Sequence, residues 1–344
     1  MAKAQVVIAQ GFSDRLLHRF VLGTSVMRRL MFRLECARNN ERFDPARRNV
    51  FIAGMARSGS TTLLNIIHRS DCFAATTYAD MPLVLSPSAV RWLKLVPRQA
   101  AAPGERRHGD GVLLGQDSPE ALDGVFWTTF DASPESVIQP HDVNDDLLRD
   151  YARFIENLLH QREQARYLGK MNHGIARLAA LAGYFHRSLF LVPFRDPLQQ
   201  ALSLCRQHEN FTRVDAYEAR YLAWLEHYEF GRVHRSFVDT PGTGRNPYSP
   251  TSVNYWLQEW RNGYRYLAAV APDHARLIPL CYESLGRSPA QWHSLAELLD
   301  VELDGRSFVS HEARPIEDAA FEPSLLEECQ TLYEQLQTLG EARL

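Results

Sequence analysis

No run of uncharged residues in this 344-residue chain approaches the ~20 that a membrane span needs. The opening, MAKAQVVIAQGFSDR, has neither a long apolar core after its single lysine nor a small-residue cleavage pattern, so a cytoplasmic protein is expected. Cysteine is scarce and scattered. Cys36, Cys72, Cys205, Cys281 and Cys329 are odd in number and form no C-x-x-C, which excludes a disulfide frame or a cysteine zinc site and points to reduced thiols in a reducing compartment. H-E-x-x-H and G-x-S-x-G are both absent, which removes a zinc protease and a serine-elbow hydrolase. The formal net charge is only -3 and the pI about 6.5, so nothing in the bulk charge calls for a nucleic-acid partner. What remains, 45% hydrophobic and 23% charged, suits a soluble α/β protein of one large domain or two small ones.

The charge is uneven. Residues 1–48 carry nine Arg and one Lys against four acids, a net of +6. Within them, residues 14–37 place apolar side chains at 16, 17, 20, 21, 27, 30, 31 and 34, a helical spacing with a basic opposite face. This N-terminal helical extension could dock on the domain, join a second subunit in a homo-oligomer, or lie on a membrane surface. Residues 49–344 then read as one domain. Short apolar runs at 166–170, 188–194 and 276–282 read as buried strands, with helical spacing at 146–164, 174–186, 197–209 and 251–270. Such alternation predicts an α/β fold: a parallel sheet with helices on both faces. The stretches 102–111 and 239–250 read as loops.

The most informative stretch is NVFIAGMARSGSTTLLNIIH, Asn49 to His68, which reads strand, loop, helix. Gly54, four residues and Gly59 match the frame of a phosphate-binding P-loop, G-x-x-x-x-G-K-[ST], but Ser60 stands in the lysine position and Thr61 follows. The amide cradle at a helix N-terminus survives while the lysine that reaches a γ-phosphate does not. Arg57 instead puts a permanently charged planar fork inside the loop, suited to phosphate or sulfate. A nucleotide kinase would need lysine at position 60, so Ser60 counts against that reading; a non-catalytic nucleotide-binding scaffold stays open.

In SLFLVPFRDPLQQALSLCRQH, a strand ends at Phe194 and Arg195 follows. Asp196 and Pro197 then suit the N-cap and first position of a helix that carries Ser203. An arginine at a strand's carboxyl end with a serine on the adjoining helix makes a second candidate anion grip, where α/β sheets place their ligands.

MARSGSTTLLNII resembles the 5′-phosphosulfate loop of the PAPS-dependent sulfotransferases, and VPFRDPLQQALSL resembles their 3′-phosphate segment. PLCYESLGRSPAQWHSLAELLDVEL is similar to a later strand and helix of that family, so most of residues 50–300 are covered. Arginine at 57 looks more like the bacterial, glycan and protein-tyrosine branches than the small-molecule cytosolic branch. The resemblance implies PAPS as co-substrate, PAP as product, no metal, and transfer of a sulfuryl group to a small-molecule, glycan or lipid acceptor. Arg57, Ser58, Gly59, Ser60, Thr61 and Thr62 would hold the 5′-phosphosulfate, and Arg195, Ser203 and Arg314 the 3′-phosphate. Arg57 and Lys170 would stabilise the transferring group. Asp80, about where the protein-tyrosine branch has a catalytic Glu, is the first candidate base and His173 the second. The segments 80–130 and 226–255 would border the acceptor.

Overall fold

The computed structural model describes residues 12–39, 43–93, 104–105, 113–115, 117–131, 137–239, 246–305, 308 and 320–344. The strands, in chain order, are β1 (Val50–Ile52), β2 (Phe73–Ala74), β3 (Gly104–Glu105), β4 (Leu113–Leu114), β5 (Val137–Ile138), β6 (Arg166–Lys170), β7 (Leu189–Phe194), β8 (Ser236–Phe237) and β9 (Leu277–Cys281). Helices α1 to α7 span Phe12–Val21, Ser25–Arg38, Ser60–His68, Pro87–Leu93, Gly124–Phe130, Asp145–Leu159 and Leu178–Tyr184. Helices α8 to α13 span Pro197–Thr212, Ala216–Trp224, Val253–Val270, Tyr282–Arg287, Pro289–Leu299 and Pro323–Glu341.

Five strands form a parallel sheet in the order β2-β6-β1-β7-β9. Successive strand side chains point to opposite faces, and β1 divides its residues accordingly. Phe51 enters a large core with Phe190 and Val192, while Val50 and Ile52 enter a second core with Leu189, Leu191 and Leu280. Both faces are therefore apolar, which is why these strands read as continuous hydrophobic runs. The fold is the expected α/β sheet flanked by helices.

The expected single N-terminal helix is two. The chain breaks at Gly23 and at Thr24, whose backbone is extended, and α2 then docks on the domain. Phe32 packs edge-on against Phe126 and Phe130, and the buried Glu35 carboxylate accepts from Ser86 Oγ and from the Ser88 amide and hydroxyl. Leu22 and Phe32 belong to the large core. Residues 12–38 are thus built into the domain rather than standing apart from it.

Register places the site. Ile52 pairs with Lys170 on one side and Leu191 on the other, so the loop after β1, the end of β6 and the segment after β7 all open at the same carboxyl edge.

Candidate anion-binding and transfer site

The loop after β1 packs tightly against its neighbours. A Cβ on Gly54 would lie 2.6 Å from the Pro193 carbonyl of β7, so the first loop glycine is required by strand packing. Arg57 and Gly59 both sit at positive φ, 66° and 88°. That alternation turns successive amides toward one point, and holding a non-glycine there costs on the order of 1–3 kcal/mol. Gly59 precedes α3 and no side chain caps that helix. Its first amides, from Ser60, Thr61 and Thr62, have no intrahelical acceptors and lie where the helix dipole favours an anion.

The second motif adjoins the first. Asp196 caps α8 by accepting from the Gln199 amide at 2.8 Å, with Pro197 at the first position. About two turns into the helix, Ser203 Oγ accepts from Arg57 Nε at 3.0 Å. Arg195 lays its guanidinium 4.8 Å from the centre of the Tyr282 ring, and Tyr282 is the residue a Cβ on Gly59 would strike. Its Nε has no hydrogen-bond partner among the described residues, and Glu283 Oε1 stands 3.8 Å away. An uncapped helix start, a strained amide cradle and an arginine with unused donor capacity suit a ligand with two separated anionic groups.

Gln200 joins the two motifs. It is fully buried; its Nε2 donates to Ala56 O at 2.9 Å, while its Oε1 accepts from the Arg195 amide and from Trp260 Nε1. Glu283 ties the segment after β7 to the start of α11 by accepting from the Asp196 amide. Sequence reasoning assigned neither residue a role, although Gln200 lies inside the quoted motif.

Lys170, at the end of β6, is buried with its Nζ 3.3 Å from Glu120 Oε1. Glu120 also accepts from the Ala121 amide and the Tyr78 hydroxyl. Asp80, the first candidate base, is engaged elsewhere. One carboxylate oxygen accepts from the Thr77 amide and hydroxyl in a capping box, and the other accepts from Arg162 at 2.7 Å. The first oxygen holds a turn, the local role open to an Asp three residues after a Thr, and the second is taken by a long-range ion pair. His173 accepts from the Tyr228 amide through Nε2, and burial pushes its pKa down to about 4, which makes it a poor proton acceptor. Arg314 lies outside the described residues.

The structure adds a pair that sequence reasoning missed, His227 and Glu229. His227 Nδ1 lies 3.0 Å from Asn172 Nδ2 and 3.4 Å from Glu229 Oε1. Burial works against the imidazolium, but the Glu229 charge and hydrogen bond outweigh it and raise the His227 pKa above 6.5. Burial would likewise raise the Glu229 carboxyl; the His227 charge and hydrogen bond instead bring it down to about 2. Glu120 and Lys170 are near enough to act on His227 electrostatically.

Two cavities lie beside these groups. A water-sized one of about 30 Å³ touches Met55 and Ala56 of the loop together with His173, Glu229, His234 and Glu259. Burial pushes His234 down to about 4 and Glu259 up to about 7. A second, of about 270 Å³, is lined by Thr128, Asp131, His141, Arg177, Glu226 and Tyr228, and shares Ile138, His173 and Arg235 with the first. The second cavity draws Thr128 from the segment 80–130 and Glu226, Tyr228 and Arg235 from the segment 226–255, together with residues of the segment 137–141. Among the described residues no His, Cys, Asp and Glu group is arranged to hold a metal ion.

A central parallel sheet flanked by helices, with a strand, a glycine-bearing loop and a helix start at its carboxyl edge, defines the class of fold. The model of the sulfotransferase family matches residues 49–236, more than half of the chain, and the chain belongs to that family. Among solved structures it is similar to sulfotransferase STF1 of Mycobacterium tuberculosis H37Rv, at 16% identity and a TM-score of 0.51, over 94% of this chain and 86% of that one. It is also similar to sulfotransferase STF9 of Mycobacterium avium, at 13% identity and a TM-score of 0.50, over 98% and 87% of the two chains. At these identities the likeness is one of fold. No curated protein matches the sequence.

Proposed function

We propose that the protein transfers a sulfuryl group from PAPS to a hydroxyl, or else an amine, of an acceptor and releases PAP. The observation that carries this reading is the Arg57–Ser203 hydrogen bond, which joins the loop after β1 to the helix after β7 and supports one ligand spanning both. The α3 amides with Arg57, Ser58, Gly59, Ser60, Thr61 and Thr62 hold the 5′-phosphosulfate, and Arg195 with Ser203 holds the 3′-phosphate.

Sulfuryl transfer resembles phosphoryl transfer, an in-line displacement in which charge grows on the equatorial and leaving oxygens. The acceptor oxygen forms the new S–O bond as the bond from sulfur to the 5′-phosphate oxygen breaks. Arg57 and Lys170 supply positive charge where that charge develops. His227 takes the acceptor proton through Nε2 in the tautomer whose Nδ1–H faces the Glu229 carboxylate. This assignment replaces Asp80, whose oxygens are bound to Thr77 and Arg162. The acceptor enters through the cavity shared by His173 and Arg235. A cytoplasmic location belongs to the same reading, supported by five free cysteines, four of them buried.

The test is thermal stabilisation by 3′,5′-ADP, 5′-AMP and ATP with magnesium. The bisphosphate should stabilise most, and Arg195→Ala should remove its advantage over 5′-AMP. Greater stabilisation by ATP with magnesium would rule the reading out.

A further inference from the structure

Among the described residues, six of the seven exposed large apolar side chains lie on the two N-terminal helices. On α1 they are Leu16, Leu17 and Phe20, the last 57% exposed; on α2 they are Val26, Leu30 and Leu34, with Val26 at 71%. The seventh, Trp92, is 79% exposed near the end of α4, whose Val90 packs with Val21 of α1 and Met31 of α2. Val26, Leu30 and Leu34 recur every four residues and so form one ridge on α2, while Phe32 and Cys36 point into the core. Arg15, Arg19, Arg29, Arg33 and Arg38 are exposed on the same two helices. Asp14 is their one exposed acid, because Glu35 is buried against Ser86 and Ser88.

An apolar patch of this kind marks an interaction surface. The charge decides the partner. Arg29 turns its guanidinium inward onto Thr129 O and the Phe130 ring, and Arg15 lies over Tyr217. A two-fold contact between copies would still set exposed arginines such as Arg19 and Arg33 against their own copies. An anionic lipid surface satisfies both components: leucine, phenylalanine and tryptophan side chains enter the interfacial layer, and arginines reach headgroup phosphates along their apolar stems. We propose that the outward faces of α1 and α2, with Trp92, dock this protein peripherally on an anionic lipid surface. Docking rather than insertion follows because no helix among the described residues is long and apolar enough to cross a membrane.

The experiment sediments the full-length protein with vesicles of phosphatidylcholine alone and of phosphatidylcholine mixed with phosphatidylglycerol. Partition should favour the mixed vesicles by roughly tenfold or more and weaken as salt rises. Two double variants divide the contributions: Phe20→Ser with Leu30→Ser, and Arg19→Glu with Arg33→Glu. Each should lower partition about tenfold and leave stabilisation by 3′,5′-ADP as it was, which shows that the fold is intact. Equal partition to both vesicles, no partition, or partition that neither variant alters would overturn the proposal. So would concentration-dependent dimerisation lost in the Phe20/Leu30 variant without vesicle binding, which would assign the surface to a second copy.

Discussion

Gln200→Ala tests whether the two anion grips work as one. The side chain is fully buried and ties Ala56 O, in the loop after β1, to the Arg195 amide after β7. Trp260 Nε1 retains a second acceptor in Arg195 O, and the Tyr264 hydroxyl retains Pro193 O. Truncation therefore strands one carbonyl and one amide, at about 1–3 kcal/mol each, and leaves a small cavity. A loss of about 3–6 kcal/mol should lower the melting temperature by roughly 5–10 °C in a chain of this size. The functional consequence is separate. With the tie gone, the grips can shift relative to each other, so a ligand that spans both should suffer more than a ligand held by one. We expect 3′,5′-ADP affinity, measured by calorimetry on folded protein, to fall roughly tenfold, equivalent to about 1.4 kcal/mol, with inorganic phosphate little affected. A destabilised variant that binds 3′,5′-ADP as well as the parent would refute the coupling.

Arg57→Lys keeps the charge but loses the donor to Ser203, and turnover should fall by about 10²–10³ with little change in melting; unchanged turnover in a radiolabelled-donor assay would deny Arg57 its role. Asp80→Asn should leave transfer largely intact while costing about 2 kcal/mol, discounted because Arg162 keeps 30% of its exposure. Lost transfer at full stability would return the base to Asp80. For His227, a raised pKa means that the neutral, proton-accepting form dominates only above that value, so kcat/KM should climb with pH along a limb centred above 6.5. Glu229→Gln removes the largest opposition to burial, leaving only the weaker pull of Glu120, and should move the limb downward; a profile unmoved by that change would exclude the pair. The same raised pKa gives a stabilising increment complete below 6.5 and lost as pH rises through the folded value, which a series of melts against His227→Gln would reveal.

Strands β1, β6, β7 and β9 were legible because strands buried on both faces leave continuous apolar runs. Strand β2 was not: Phe73–Ala74 is too short for any period to register, and only its pairing with β6 defines it. The apolar spacing of the N-terminal helix runs straight across Gly23 and Thr24, so the break between α1 and α2 depends on tertiary docking that periodicity does not encode. The C-terminal α13 does carry a helical spacing, Leu325, Cys329, Leu332 and Leu336, behind a proline at its start, yet it lies beyond the motif-bearing stretches.

The site divides along the same line, between chemistry held within a short segment and chemistry assembled across the fold. Asp196 as a helix cap and the cradle around Gly59 are local, so residue type and spacing express them. The contact of Arg57 with Ser203 spans 146 positions and that of Lys170 with Glu120 spans 50, and no window of sequence contains either. Asp80 shows the converse hazard. A carboxylate about one helix beyond the loop can be a base or a cap; its cap partner Thr77 is local, but the partner of its second oxygen, Arg162, is 82 residues away. On the proposed reading, a loop with serine in place of the Walker lysine carries its positive charge on Arg57. Arg57 is held at positive φ, and α8 braces it through Ser203 at its side chain and Gln200 at the preceding carbonyl. In this loop the geometry of the cation depends on the neighbouring strand-helix unit, so substitutions on α8 should alter chemistry at the loop even where they touch no ligand.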